Sequence, residues 1–516
     1  MAHYDNEKGD AEKPDVHYNE NAVVQVDRET SAWKCITANP KIVLWTLYAN
    51  IGSAMVGYEN LALSICLAMP AFQQTFASNV GGTLIIPAGW QSAWNAMYNV
   101  MQLVGAFTAG HLQGWFGRRS VFFATILCAS AGIAISYISE TQAQFLAGKI
   151  VSGFAVGLVL AGTQTYVSEI APLPMRGIAL GTNTVMLNLG MLIAVSATYS
   201  RVSIMDKSAF RVIFAAGWTF PGALSCGLLF LPESPYWLVM KNKHEEARRA
   251  LERLSAPGED IDARLTQIQH IIENERKVSS NKASLIECFR GTNMRRTRIL
   301  LICMYMPKVV GAVLSNNAPY FLNQTGLDSH KVVMFTQIGV GMGAISAVVN
   351  LFMMMKIRQR LLMFIGVGIA IIMYLIMGIA SLLPKTITSL TIIGMSLQFI
   401  SISYGPAVGA SMAVAGEVSA SKLRAQSLGL GAAFMAVAST IWQVILPYLF
   451  NQDQADLGGK LGWIFFAMAV IYLVIVYFDV PGTRGRTYAE LDDMFEKRVA
   501  ARRFDSYKFE DTEGLE

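Results

Sequence analysis

The sequence predicts an all-α membrane protein with twelve transmembrane helices, six on each side of a polar central segment. Three observations support this fold class. The 516-residue chain is 53% hydrophobic and only 15% charged, and its mean hydropathy of +0.40 is too high for a soluble protein of this size. Apolar windows of about 20 residues, long enough to span a bilayer, recur twelve times. Between the sixth and seventh windows lies the polar segment 232–298.

The twelve windows divide equally about that segment, and they are 42–66, 91–112, 120–139, 143–165, 178–198, 211–231, 299–322, 332–354, 361–382, 387–414, 426–449 and 461–479. This division predicts five units. They are a disordered N-terminal tail (1–40), an N-terminal six-helix half (41–231), a helical linker (232–298), a C-terminal six-helix half (299–480) and a C-terminal tail (481–516).

Basic residues lie in alternate loops of this threading. The loop 71–90 and the turn 140–148 contain no Lys or Arg, whereas the central segment, the C-terminal tail and the turns 118–119, 356–360 and 422–424 do. By the positive-inside rule, both termini and the linker therefore face the cytoplasm. Arg201, Lys207 and Lys385 depart from the pattern. The six cysteines show no paired spacing in outward loops, so we expect free thiols, no metal site and no cofactor.

The first window contains one carboxylate, Glu59, among apolar residues. Ionisable residues inside a membrane are costly and are candidates for function, usually facing a wet cavity or a partner. The alternative is a neutral, hydrogen-bonded structural residue. Glu59 is therefore the first candidate site residue.

Three motifs stand at the ends of the predicted helices. The turn 110–119 reads Gly-His-Leu-Gln-Gly-Trp-Phe-Gly-Arg-Arg, the central segment opens with Pro-Glu-Ser-Pro at 232–235, and Pro-Gly-Thr-Arg-Gly-Arg-Thr occupies 481–487. Together these motifs resemble the sugar porter family of the major facilitator superfamily, along almost the whole chain. In the first motif Gly114 and Trp115 stand where the family has Asp and Arg, which weakens a contact that steadies one conformational state in relatives.

A finer resemblance is to the fungal α-glucoside (maltose-type) permeases. It is carried by Gly-Tyr-Glu at 57–59 and Met-Pro-Ala-Phe-Gln at 69–73, with Glu59 where Asp is usual. The resemblance implies two six-helix bundles related by a pseudo-two-fold axis, with substrate held between them near the midplane and access alternating between the two sides. It also implies a transporter and not an enzyme, placed in the plasma membrane.

The resemblance also implies site residues. In proton-coupled sugar porters the carboxylate matching Glu59 titrates, and a basic residue of the fourth helix, here Lys149, modulates it. A latch of charges would pair across the cytoplasmic ends of the bundles when the cavity faces outward; the alternative is a solvated charge fringe. The latch residues are Arg118, Arg119, Glu169, Arg176, Glu233, Arg358, Glu417 and Arg424.

The seventh helix departs from the family. Sugar porters carry a pair of Gln residues there, whereas this chain has Pro307-Lys308 before Gly311, and Thr184 and Ala433 replace two further amides. Lys308 lies about 16 Å into its helix, near mid-bilayer. We predict that Lys308 faces the central cavity and either pairs with Glu59 or receives an anionic substrate. The alternative is that it snorkels, or contacts carbonyls freed by Pro307.

Other polar or aromatic residues of the predicted spans could line the cavity or join one helix to another. These candidates are Asn183, Thr184, Asn188, Asn316, Asn317, Tyr404, Trp442 and Gln443.

The sequence therefore predicts a proton-coupled, sugar-porter-type transporter that moves a sugar or related small solute by alternating access. Its partners would be that solute, protons and the lipid bilayer, and no nucleic-acid module is present in the sequence. Two alternatives stay open: an importer or exporter of a non-sugar, possibly anionic, metabolite, and a non-transporting sugar sensor. The short C-terminal tail favours a transporter over a sensor.

Overall fold

The structure is a computed structural model that describes residues 32–80, 83–255, 260–279, 285–419, 423–483, 488–504 and 507. Most of the predicted N-terminal tail, 1–31, lies outside these residues. The end of that tail is helical and not disordered, because Ala32–Ala38 forms a helix and the next helix begins at Pro40.

The N-terminal half is a helical bundle with one small hairpin. Its elements are α1 (Ala32–Ala38), α2 (Pro40–Leu67), α3 (Pro70–Phe76), β1 (Ser78–Val80), β2 (Thr83–Ile85), α4 (Ala88–Phe116), α5 (Arg118–Ile138), α6 (Gln142–Ile170), α7 (Leu173–Tyr199), α8 (Ser208–Gly217) and α9 (Thr219–Leu228). The strands β1 and β2 pair antiparallel, with Asn79 opposite Leu84. The sequence analysis predicted neither α3 nor this hairpin.

The linker forms three amphipathic helices, α10 (Pro235–Met240), α11 (His244–Leu254) and α12 (Ile261–Ser279), and a 3₁₀ turn, Leu285–Phe289. Their apolar faces bury a small separate core that includes Leu238, Leu251 and Ile268. Ser234 caps α10, since its hydroxyl accepts a hydrogen bond from the Trp237 amide. The polar segment thus folds into a compact helical unit.

The C-terminal half is a second helical bundle. Its elements are α13 (Thr292–Val309), α14 (Ala312–Asn316), α15 (Ala318–Gln324), α16 (Ser329–Lys356), α17 (Gln359–Ala380), α18 (Ile387–Phe399), α19 (Ser401–Val418), α20 (Arg424–Phe450), α21 (Leu461–Asp479) and α22 (Tyr488–Glu496). The helix α13 begins inside the predicted linker, because its charged first turns do not register as an apolar window.

Nine helices of the described chain are long and apolar enough to cross a membrane, or ten if α2 and α3, bent by 78°, form one span. The two remaining predicted windows, 91–112 and 211–231, fall on α4 and on the pair α8 and α9. The helix α4 carries polar residues along its length, and α8 and α9 are only ten residues each, separated at Trp218. The exact count of twelve spans stays a prediction.

Small residues bring helices into close contact in both halves. A Cβ at Gly153 or Gly157 of α6 would collide with carbonyl oxygens of α4, as is typical of a small-x-x-x-small pair. In the C-terminal half, Gly405 and Gly409 of α19 lie against α16, where a Cβ would collide with the Ser346 carbonyl oxygen and the Asn350 side chain. The repetition of one packing device in matching helices is what an internal duplication predicts.

Candidate functional site

A buried ion pair joins α2 to α6 inside the N-terminal bundle. The Lys149 Nζ lies 3.0 Å from the Glu59 Oε2, and the two side chains are 2% and 7% exposed. Three aromatic rings surround the amino group, with ring centres 5.6–5.8 Å from Nζ, and they belong to Tyr98, Phe145 and Phe214. Each charge therefore has a counter-charge in an apolar environment, where a lone ion would be costly.

The pair lies on the wall of a polar cavity of about 180 Å³, and Lys308 of α13 lines the same cavity. Lys308 is 8% exposed, so it points into the protein and not toward lipid, as predicted. It does not pair with Glu59, whose carboxylate is held by Lys149, so that part of the prediction is wrong for this conformation. Among the residues that the structure describes, Lys308 Nζ has neither a hydrogen bond nor an ion pair. The prediction that it receives an anionic substrate stays open.

A break in the seventh helix positions Lys308. Pro307 lies in the last turn of α13, and the chain passes through Gly311 at φ +76°, a left-handed conformation that favours glycine. A Cβ at Gly311 would collide with the Tyr374 hydroxyl, which donates a hydrogen bond to the Val309 carbonyl at 3.1 Å. The helix therefore stops one residue after Lys308 and restarts as α14.

A stripe of amides on α4 completes the polar wall. Asn95, Asn99 and Gln102 line the cavity at helical spacing, facing Lys308 and Gln443 of the C-terminal half. The sequence analysis missed these three residues, although polar residues at i, i+4 and i+7 in an apolar window are a detectable signal. The amides that the family has in the seventh helix are thus replaced by amides of another helix.

A larger cavity of about 480 Å³ adjoins the first, and the two share Asn60, Ala312 and Asn316. It lies between the halves, lined by α2 and α7 on one side and by α16 and α19 on the other. Among the predicted substrate-binding residues, the two cavities bring together Thr184, Asn188, Asn316, Tyr404, Gln443 and Lys308.

Three of the candidate residues line neither cavity: Asn183 of α7, and Asn317 and Trp442 of the C-terminal half. The Asn317 amide donates hydrogen bonds to the Val313 carbonyl and to Gln443 Oε1, at 2.9 and 3.1 Å. The Trp442 indole donates to the Tyr305 hydroxyl at 2.9 Å. Both side chains join helices within the C-terminal half, the role that the sequence analysis gave as the alternative.

We call the end of the molecule with β1 and β2 the hairpin end, and the end with α10–α12 the linker end. At the hairpin end, hydrogen bonds join the two halves. The Gln91 amide donates to the Tyr320 hydroxyl at 2.9 Å, that hydroxyl donates to Asn451 Oδ1 at 2.9 Å, and Asn451 Nδ2 donates to the Ile86 carbonyl at 3.0 Å. We call Gln91, Tyr320 and Asn451 the seal. The larger cavity is lined as far as Asn350 and Met354, in the last turns of α16 on the side of the linker end.

The predicted latch residues of the N-terminal half pair with one another. Arg118 forms a two-bonded ion pair with Glu169, with Nε to Oε2 at 2.8 Å, and its backbone amide donates to Glu233 Oε1 at 2.8 Å. The backbone amide of Arg119 donates to Glu233 Oε2 at 3.3 Å. The Arg176 side chain reaches the Ala171 carbonyl at 3.4 Å. These contacts stay within one half, so they do not form the cross-bundle latch in this conformation.

The C-terminal half contributes three of the predicted latch residues. Glu417 accepts a hydrogen bond from the Gln359 amide at 3.2 Å, and Arg358 is exposed. Arg424 begins α20, but its side chain lies outside the described residues. The role of all eight residues as a latch stays a prediction.

The architecture and the paired halves agree with comparisons to known proteins. The model of the family described as sugar (and other) transporter matches residues 45–495. The chain belongs to this family. The predicted resemblance is thereby confirmed, and so is the prediction of a multi-pass membrane transporter that is not an enzyme.

The alignments between this sugar transporter family member and its relatives cover most of its length. It is 28% identical to the MFS transporter fmqE of Aspergillus fumigatus, over 97% of this chain and 96% of the relative. It is 27% identical to the general alpha-glucoside permease of Saccharomyces cerevisiae, over 90% of this chain and 77% of the permease. The inward-open xylose transporter XylE of E. coli superimposes with a TM-score of 0.71 at 19% identity, over 88% of this chain and 99% of XylE. The major facilitator fold is therefore established.

Proposed function

We propose that this protein carries a sugar-class small solute across the plasma membrane by alternating access, coupled to protons. The observation that carries the proposal is the buried Glu59–Lys149 pair on the wall of a polar cavity that both halves line. Two names among similar proteins support it: alpha-glucoside permeases, and a structure titled as a proton:xylose symporter.

The distribution of contacts between the halves supports alternating access. The seal closes the hairpin end with hydrogen bonds from one half to the other, while the larger cavity reaches Asn350 and Met354 near the end of α16. A solute in the cavity would leave toward the linker end. Opening the seal and closing the linker end would expose the same cavity to the other side.

Charge placement supports the orientation. The linker end carries Arg118, Arg119 and the Lys and Arg residues of the linker, so the positive-inside rule favours a cytoplasmic position for this end. The hairpin end would then face outward, and the arrangement described here is the inward-facing one. Both termini would be cytoplasmic.

The Glu59–Lys149 pair supplies a means of proton coupling. Protonation of Glu59 Oε2 removes the negative charge and leaves Lys149 buried without a counter-charge. Such an uncompensated charge is unfavourable, so the proton state changes the relative free energies of arrangements that differ in how Lys149 is surrounded. Proton uptake on one side and release on the other would then drive the solute in one direction.

The test is uptake by a host that lacks its own sugar transporters, with the full-length protein expressed at its surface. Radiolabelled maltose, glucose and sugar acids are supplied with and without a protonophore. We expect a labelled solute to accumulate above its external concentration and the accumulation to collapse with the protonophore. Absence of flux for every sugar-class solute in both directions would overturn the proposal.

A further inference from the structure

We propose that the transported solute is a polyhydroxy carboxylate, such as an aldonate or a uronate, and that Lys308 binds its carboxylate. This inference rests on the proposed function and deepens it, since it names the chemical class that the same cavity selects. The juxtaposition that carries it is a buried lysine, without a partner among the described residues, on a cavity wall that is rich in side-chain amides and also holds the Glu59–Lys149 pair.

The charges of the cavity lining do not cancel. Glu59 and Lys149 neutralise each other at 3.0 Å, and the remaining described lining residues apart from Lys308 are uncharged. Lys308 therefore leaves one positive charge uncompensated within the described lining. A buried cation requires a counter-charge or hydrogen-bond acceptors, and here an anionic ligand supplies both.

The backbone near Lys308 does not provide those acceptors. Three carbonyl oxygens at the end of α13 already have donors: Val310 donates to Met306, Gly311 donates to Lys308 and the Tyr374 hydroxyl donates to Val309, at 3.1, 3.2 and 3.1 Å. Lys308 Nζ donates to no backbone carbonyl of the described residues. The alternative that the amino group serves the helix end is thereby disfavoured. Because the Lys308 amino group lies on the cavity wall, we expect it to bind a ligand in the cavity.

The amides define the rest of the ligand. Asn95, Asn99, Gln102 and Asn316 each have a side-chain amide, which both donates and accepts hydrogen bonds, as hydroxyl groups do. A simple short-chain acid would satisfy Lys308 and leave the amides unmatched. A neutral sugar would satisfy the amides and leave the cation unmatched. A hydroxylated acid satisfies both sets, and a ligand that leaves a polar group of the site without a hydrogen bond binds less tightly.

The size of the charge distinguishes a carboxylate from a phosphate ester. A phosphate monoester carries about −1.5 to −2 at neutral pH, whereas a carboxylate carries one negative charge. The described lining offers one uncompensated positive charge, so a second negative charge on the ligand would have no counter-charge there. The match is therefore to a monocarboxylate.

Binding to the purified full-length protein in lipid nanodiscs, measured by calorimetry, tests the inference. The ligands are glucuronate, gluconate, glucose, glucose 6-phosphate and glucuronamide, which has the size and hydroxyls of glucuronate without the charge. We expect an acid to bind at least about tenfold tighter than glucuronamide and glucose, as for a charge-assisted hydrogen bond. Equal or tighter binding of the neutral sugars would overturn this inference and leave the proposed function standing, and tightest binding of the phosphate would overturn the carboxylate. Binding of none of the five would overturn this inference, while the proposed function is decided by the uptake measurement described above.

Variants at Lys308 test whether this side chain causes the preference for the acid. Lys308→Gln, which restores an amide at this helix, should remove the preference for the acid, whereas Lys308→Arg should keep it. Lys331→Gln, at an exposed lysine at the start of α16, is the matched control and should leave the preference unchanged. An unchanged preference in a folded Lys308→Gln protein would overturn the role of Lys308. Should that variant not fold, the wild-type ratio of glucuronate to glucuronamide still decides.

Discussion

The Glu59 carboxylate lies 3.0 Å from the Lys149 amino group on a cavity wall of the N-terminal half, and the C-terminal half contributes a second lysine, Lys308, to the same cavity. One lysine has a counter-charge and the other has none among the described residues. The same residue type therefore has two roles, since Lys149 compensates a carboxylate of the protein and Lys308 is available to a ligand.

Replacing Glu59 by Gln should abolish proton-driven accumulation and retain downhill exchange of the solute. The amide keeps the size and hydrogen bonds of the carboxyl group but cannot exchange a proton. Accumulation and counterflow, measured in the same cells, separate the two activities. Glu140→Gln is the control, because Glu140 is 62% exposed and pairs with Lys207 at the surface. Undiminished accumulation in the Glu59 variant would show that coupling lies elsewhere.

Replacing Lys149 by Met should destabilise the protein by about 3–5 kcal/mol, because it leaves Glu59 buried without a counter-charge. Adding Glu59→Gln should recover much of that loss, since the double variant buries no charge. Thermal unfolding in detergent, followed by tryptophan fluorescence, measures all four proteins of the cycle. Additive losses would contradict the pairing seen here.

The sequence predicts a site residue where its side chain differs strongly from the apolar residues around it. Glu59, Lys149 and Lys308 were found because a charge in an apolar window stands out. The amides Asn95 and Asn99 were missed, because the window was judged by its average apolarity and not by which face its polar residues share. An apolar window locates a helix in the chain, but it does not show which face of that helix points into the protein.

For the fold, the long helices could be predicted from the sequence and the short elements could not. Apolar windows located the long helices, but the short α3 and the β1–β2 hairpin, which close the hairpin end, give no such signal. Whether Asn317 and Trp442 would reach a cavity or a neighbouring helix was likewise undetermined, because both environments accept a polar group in a bundle. Only the packed structure separates the two roles.

Replacing Gly311 by Ala should destabilise the protein and impair transport. The left-handed backbone at φ +76° costs an alanine about 1–2 kcal/mol, and its Cβ would also displace the Tyr374 hydroxyl from the Val309 carbonyl. Gly326→Ala is the matched control, because Gly326 has φ +101° and open space around its Cβ position. We expect the Gly326 variant to lose stability but keep its affinity for the solute. The Gly311 variant should lose both. Equal effects would show that Tyr374 does not support the helix break.

Weakening the seal should shift the protein toward the outward-facing arrangement. Asn451→Ala removes the acceptor of the Tyr320 hydroxyl and the donor to the Ile86 carbonyl, and Tyr320→Phe removes the link from Gln91. A net free energy of about 0.5–1.5 kcal/mol per hydrogen bond corresponds to a two- to tenfold change in the equilibrium.

The rate at which an impermeant maleimide, added to intact cells, labels a cysteine in the larger cavity measures this shift. Ser315→Cys places that thiol on the cavity wall, and the protein without it gives the background from the native cysteines. Each seal variant loses two of these hydrogen bonds, so labelling should rise at least about fivefold in both. Gln452→Ala is the control, because the Gln452 amide donates to the Gln324 carbonyl within its own half and joins no bundles. Labelling that rises as much in this control would show that the hydrogen bonds of the seal do not hold the hairpin end closed.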